Sequence, residues 1–242
     1  MADGWLAPLT RQIKDRQRMF DFRLKGIREH FGTLEECANA YRYYGFNRDP
    51  ETGEWIYREW APGARELYLI GDFNGWNRTS HPMTRNNRGV WEIRLPSDSL
   101  IHEQRVKVHV IGADGEHKDR IPAWIHRAVQ NPDTYDFSGQ IWDPSTPYDW
   151  QTPQFDPSRI DTPMIYEAHV GMSGEEERIH SYREFADHVL PRISAGGYNT
   201  IQLMAIQEHP YYGSFGYHVS SFFAPSSRFG TPDDLKYLID KA

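Results

Sequence analysis

The sequence predicts a mixed fold: a helical N-terminus, a β-sandwich, and then a strand–helix–strand–helix run that opens a parallel sheet. Three observations carry this. Apolar residues recur at helical spacing before residue 40. Strand-like runs separated by turn residues extend from about Tyr41 to Ile121. After Pro163 two further strand-like runs alternate with helix-start signals.

In the first segment, Ile13, Phe20, Leu24, Ile27 and Phe31 fall near one helical face with charges between them. Gly26 and Gly32 are the weak points, or mark its end. In the second, Trp55 to Trp60 stops at Ala61-Pro62-Gly63, and Glu66 to Ile70 stops at Gly71 to Gly75. Val90 to Leu95 ends at Pro96, and Arg105 to Val110 ends at Gly112 to Gly115. Strands at this density read as an all-β sandwich. Residues 131–162, rich in Pro, Asp and Ser, read as a connector. Trp142 and Trp150 argue that it packs.

In the third segment, Met164 to Val170 is a strand. Ser181-Tyr182-Arg183-Glu184 is a capping box that opens an amphipathic helix through Leu190 and Ile193, stopped by Gly196-Gly197. Thr200 to Ala205 is the second strand. Thr231-Pro232-Asp233-Asp234 starts a second helix with an N-cap, a proline at the first position and two first-turn acids. This order implies a right-handed crossover. Residues 206–230 are a long aromatic loop after the C-terminal end of a parallel strand, where α/β enzymes place their sites.

Composition removes other classes. The formal net charge is -7, from 27 Lys+Arg and 34 Asp+Glu. Nucleic acid is therefore not an expected partner, because phosphate contacts need a basic footprint. No apolar run is long enough to span a membrane, and Met1 to Thr10 lacks the pattern of a secretory leader. Cys37, the single cysteine, excludes an internal disulfide and a cysteine-rich metal site, and fits a cytoplasmic protein. No metal cluster or phosphate-binding glycine loop is visible, so no cofactor is expected. Aromatics make up 14% of the chain. They fill a core, or they stack on the apolar faces of sugars.

Three motifs converge. Arg58-Glu59-Trp60-Ala61-Pro62-Gly63-Ala64 with Gly71-Asp72-Phe73-Asn74-Gly75-Trp76-Asn77 resembles the starch-binding N-terminal module of glycogen-branching and debranching enzymes. Ile165-Tyr166-Glu167-Ala168-His169-Val170-Gly171 resembles the first barrel strand of the same enzymes. Gln202 to His209, followed by Tyr211-Tyr212-Gly213-Ser214-Phe215-Gly216-Tyr217, resembles the second strand and loop of 1,4-α-glucan (glycogen) branching enzymes of the α-amylase superfamily. The resemblance runs from about Tyr41 to Ala242. It implies a helical segment at 1–40, a starch- or glycogen-binding β-sandwich module at 41–130, a connector at 131–162, and the start of a catalytic (β/α)8 barrel at 163–242.

The resemblance also supplies candidate residues. In relatives, glucan lies in a groove between the module and the N-terminal region. The matching positions are Phe46, Asn47, Trp76, Asn77 and Arg78, with Leu100 and Ile101 carried over from a loop whose length varies. Phe73, beside them, reads as core. Tyr217 matches the tyrosine that stacks on the sugar before the cleaved bond. His169 and His209 face the same cleft. The Glu208-His209 pair reads as structural or as a contact, and Glu167 as barrel packing.

The resemblance further implies cleavage of an α-1,4 bond and transfer of the chain to a 6-hydroxyl. Retaining glycoside chemistry uses two carboxylates about 5–5.5 Å apart. In the resembled enzymes they follow later barrel strands, which places both beyond Ala242. The chain is therefore expected to be a glucan-binding, inactive fragment. A free-standing glucan-binding or scaffold module and part of a debranching enzyme remain as alternatives.

Overall fold

The computed structural model describes residues 3–152 and 154–242. Met1, Ala2 and Pro153, which fall in the expected helical segment and connector, lie outside them. The chain divides into two compact units, Met1–Tyr43 and Tyr44–Ala242.

The first unit is helical. A 3-10 turn at Gly4–Leu9 leads into α1 (Thr10–Phe31). Gly26 lies within that helix, and Gly32 ends it at φ 82°. Thr33 caps α2 (Leu34–Cys37) by accepting from the Glu36 N–H.

The second unit opens with β1 (Gly45–Arg48), β2 (Trp55–Trp60), β3 (Ala64–Gly71), β4 (Thr84–Arg85), β5 (Val90–Leu95), β6 (Arg105–Gly112), β7 (His117–Arg120), β8 (Ala128–Gln130) and β9 (Phe137–Gln140). One antiparallel sheet has the order β1-β2-β5-β4. The other runs β3-β6-β9-β8, with β7 sharing the β6 edge. Alternation along the strands directs one face of each sheet inward. Trp55 and Tyr57 from β2 meet Leu67 and Leu69 from β3 and Val106 and Val108 from β6. Each buried aromatic ring removes about 150–250 Å² from water, so Trp55, Tyr57 and Trp91 dominate this core. The connector differs from expectation. It contains β9, which closes the second sheet between β6 and β8, so the sandwich continues to Ile141. Its Pro-rich flanks obscure a strand of four residues.

Burial has an electrostatic consequence in β2. The Glu59 carboxylate accepts from the Tyr57 hydroxyl at 2.8 Å and the Ala123 N–H at 2.9 Å. Burial raises its pKa above 4.5, and those bonds only partly oppose it. A raised carboxyl pKa stabilises the fold below the unfolded value and loses that contribution as pH rises through the folded one. Glu59→Gln keeps both acceptor contacts without the charge. Its urea midpoint relative to wild type should therefore climb between pH 4 and 7; a constant or falling difference would contradict the assignment.

The remainder pairs β10 (Ile165–His169) with β11 (Thr200–Met204) in parallel. Ser181 and Glu184 form the predicted capping box of α3 (Tyr182–Glu184). The expected single helix is not uniform. Residues Phe185–Val189 are π-helical before α4 (Leu190–Ala195) resumes, and the Leu190 N–H reaches the Phe185 carbonyl. Pro191 explains this: it has no N–H to donate and its ring crowds the carbonyl four residues back. Thr231 caps α5 (Pro232–Lys241) through Asp234, again as predicted. A second core gathers Val170, Tyr182, Phe185, Leu190, Ile193, Phe229 and Leu238.

The stretch 206–230 is more ordered than a loop. β12 (Gln207–Glu208) pairs antiparallel with β13 (Ser221–Pro225), and a 3-10 turn at Tyr212–Ser214 lies between them. Each strand is too short, and too rich in Pro and aromatics, to show a period of two.

Candidate glucan-binding sites

The predicted residues fall in two regions, the sandwich and the segment that follows β11 with the adjoining end of β10, and among the described residues no contact joins Phe46 or Asn47 to Trp76. The first lies on the sandwich. A 3-10 turn at Asp72–Asn74 and Gly75 at φ 61° deliver Trp76, which itself sits at φ 61°. A left-handed conformation at a bulky residue costs about 1–2 kcal/mol. Local bonds hold it: the Trp76 N–H donates to the Gly71 carbonyl at 2.9 Å, and its indole N–H to Asp72 at 3.0 Å. Such strain persists where the surroundings enforce it, often at ligand sites. The Arg105 guanidinium lies 5.9 Å from the indole centre.

The neighbours serve mainly to hold this turn. Asn77 Oδ1 accepts from the Thr79 and Ser80 N–H groups. Arg78 forks onto Asp119 at 2.6 and 3.3 Å, which keeps that carboxyl below its ordinary pKa. Both residues remain exposed at the surface. Phe73 packs half-buried against the sandwich core, as expected.

One of the predicted contacts, Leu100, needs revision, and Phe46 and Asn47 are half-buried with partners inside the fold. Phe46 stacks on Tyr57 at 4.3 Å and packs against the core, leaving only part of its ring exposed. Asn47 donates from Nδ2 to the Tyr44 carbonyl, fixing the start of β1. Leu100 is 1% exposed, and its carbonyl accepts from the Trp55 indole. Its side chain is part of the core and cannot touch a glucan. Apolar character alone gave no means of separating it from Ile101, which is 59% exposed.

The second cluster surrounds the β12–β13 hairpin, beyond the C-terminal end of β11. Tyr217 is 77% exposed. Its N–H donates to the Ser214 carbonyl. Behind it, Gly216 at φ 81° lies so close to β11 that an added Cβ would meet the Ala205 Cα at 2.3 Å. Ala205 and Phe215 are also left-handed, at φ 59° and 52°. The ring of Tyr217 is thus presented on a closely constrained backbone.

Glu208 is fully buried. It accepts from the Ser227 N–H at 2.7 Å, from the His209 N–H at 3.1 Å and from Arg228 at 3.2 Å. Arg228 also donates to the His209 and Pro210 carbonyls. Glu208 therefore ties the two ends of the hairpin together and is closed off from any substrate. His209 is fully buried as well, with Nδ1 against the Gln207 carbonyl, so it does not face an open cleft as expected. His169 is half-buried at the end of β10, edge-on to Tyr212, Phe215 and Phe229. Burial, and then the nearby His209, lowers its pKa below the ordinary imidazole value. Glu167 is exposed in this chain, 3.5 Å from Gln202 on the paired strand. Among the described residues no group of three or more His, Cys, Asp and Glu is arranged to hold a metal. No helix among them is long and apolar enough to cross a membrane.

Comparison with known proteins adds the following likenesses. Residues 43–125 match the family Carbohydrate-binding module 48 (Isoamylase N-terminal domain). A 1,4-alpha-glucan-branching enzyme of Solanum tuberosum is 50% identical over 99% of this chain and 28% of its own length. That of Aspergillus oryzae is 44% identical over 99% of this chain and 35% of its own. A pullulanase of Paenibacillus barengoltzii, solved with maltohexaose and alpha-cyclodextrin, shares the fold with a TM-score of 0.61. It is 20% identical, over 82% of this chain and 35% of the pullulanase. The chain thus spans about a third of the length of the curated relatives it matches. Over that third it is similar to 1,4-alpha-glucan-branching enzymes, and its residues 43–125 match carbohydrate-binding module 48.

Proposed function

We propose that this chain is the glucan-holding part of a 1,4-α-glucan-branching enzyme. The whole enzyme cleaves an α-1,4 bond and transfers the chain to a 6-hydroxyl, forming an α-1,6 branch. Residues 163–242 are the first strand–helix–strand–helix portion of its (β/α)8 barrel. The parallel pairing of β10 with β11 supports that reading. The carboxylates of the chemistry are supplied by other parts of the enzyme.

The observation that carries the proposal is Tyr217. A phenol ring 77% exposed, on a backbone held by a left-handed glycine, sits just past a parallel strand. The chain as a whole is 50% identical to a branching enzyme of Solanum tuberosum. The ring offers a flat apolar face to a pyranose, and its hydroxyl a hydrogen bond. Trp76 offers a second platform on the module, with Asn77 and Arg78 next to it in the chain and the exposed Ile101 elsewhere on the module as further candidate contacts. Calorimetric titration with maltoheptaose tests both. Aromatic stacking is worth about 0.5–1.5 kcal/mol, so Tyr217→Ala and Trp76→Ala should each weaken binding roughly two- to tenfold. Unchanged affinity in both variants would sink the assignment. The chain incubated with amylose should leave the iodine colour unaltered; a shift would mean that it carries the chemistry.

A further inference from the structure

The hairpin that presents Tyr217 is held from two sides. The Glu208–Arg228 network and Phe229 hold it to the second core. The β-sandwich holds it through a separate contact. Ala224 of β13 is buried as a member of the sandwich core. The adjoining Phe223 lies flat against Trp124, with ring centres 4.0 Å apart and planes inclined by 8°. The other partner of Trp124 is Tyr44, stacked at 5.5 Å and 16°. Trp124 therefore sits in a three-ring column that joins the start of β1 to β13.

The column is built closely into β1. Gly45 has φ 75°, and a Cβ there would come within 2.9 Å of the Trp124 Cβ and carbonyl oxygen. Only glycine meets both demands, of conformation and of space. The carbonyl of Tyr44 in turn accepts from the Asn47 side chain. A continuous set of contacts thus runs from Asn47 through Tyr44, Trp124 and Phe223 to the strand that ends the Tyr217 hairpin. Neither Trp124 nor Phe223 belongs to a motif, and nothing in the sequence spacing pairs them.

We propose that Trp124 is the positioning residue for Tyr217: clamped between Tyr44 and Phe223, it fixes the hairpin on the sandwich and links it to the β1 strand. This rests on the glucan reading of Tyr217 for its functional part, but not for the mechanical part. A flat aromatic pair holds β13 in one place without hydrogen bonds that water could replace. Phenylalanine at position 124 keeps a stacking face, whereas alanine removes the aromatic contact between β13 and the sandwich.

Two readouts on the full 242-residue chain separate the parts. The first is amide hydrogen exchange across residues 207–225, with β3 and β6 as internal references. Loss of local packing lowers the local opening free energy, so Trp124→Ala should speed hairpin exchange by about tenfold while the references hold. Trp124→Phe should stay within about twofold of wild type. The second is a double-mutant cycle with Tyr217→Ala, read as maltoheptaose affinity. Trp124→Ala should cost about fivefold when Tyr217 is present and nothing further when it is absent. Unchanged hairpin exchange overturns the proposal, as does an equal affinity loss in both backgrounds. If Tyr217→Ala alone leaves affinity intact, the glucan reading of Tyr217 fails, and hairpin exchange decides the positioning role by itself.

Discussion

Glu208→Ala should lower the stability of the chain by about 3–5 kcal/mol, the range for removing one member of a buried ion pair. The carboxylate is fully enclosed and accepts from two backbone N–H groups and the Arg228 guanidinium. Its removal strands those N–H groups and leaves a largely buried cation without its partner. For a domain of this size the loss corresponds to a fall in Tm of roughly 6–20 °C. Glu208→Gln retains an acceptor oxygen at the same place and should lose less. Thermal melts of the two variants beside wild type check this. If alanine and glutamine behave alike, within about 0.5 kcal/mol of wild type, Glu208 is not the tie described here.

Gly216→Ala is the second substitution with a large expected effect, of about 2–4 kcal/mol. Two penalties combine. The residue sits at φ 81°, and its new Cβ would meet the Ala205 backbone at 2.3 Å, where nothing flexible can move aside. Gly75→Ala is the matched control. Gly75 also has a positive φ of 61°, but no atom lies within 4 Å of an added Cβ there. It should therefore cost only the conformational part, about 1–2 kcal/mol. The difference between the two urea midpoints measures the close approach that seats Tyr217. Gly216→Ala should also weaken maltoheptaose binding, because relief of the clash displaces the next residue. Equal losses in the two glycine variants would contradict the account of the hairpin.

The regular parts of this fold are legible because the periodicity is local. Trp55 and Tyr57, Leu67 and Leu69, and Val106 and Val108 point inward at a spacing of two, and the sequence displays it directly. The caps are legible for a similar reason. Ser181 with Glu184, and Thr231 with Asp234, satisfy helix-end N–H groups through residues three apart. What escapes the sequence depends on distant partners. β9 exists because Arg105 and Val106 of β6 pair with it across more than thirty residues, not because Phe137 to Gln140 look like a strand. β12 and β13 are likewise defined by each other. The π-helical turn before Pro191 could have been anticipated from the missing N–H alone.

The candidate sites divide in the same way. Tyr217, Trp76 and Gly216 are marked by local chemistry: an aromatic ring in a glycine-rich turn. Leu100 and Ile101 are adjacent and both apolar, yet one is sealed in the core and the other lies on the surface. Only the packing separates them. Glu208 and His209 read in the sequence as structural or as a contact, and the structure turns both inward at the hairpin. Trp124 is the converse case. Its partners, Tyr44 and Phe223, lie 80 residues before it and 99 after it.

The proposed holding of an α-1,4-glucan rests on the exposed ring of Tyr217 and the half-buried ring of Trp76. Calorimetric titration with maltoheptaose, set beside cellohexaose under the same conditions, tests it most directly. Maltoheptaose should bind saturably and more weakly to the Tyr217→Ala, Trp76→Ala double variant, and the β-linked chain should bind little or not at all. Equal binding of the two oligosaccharides, or no binding of maltoheptaose by a folded chain, would contradict the proposal.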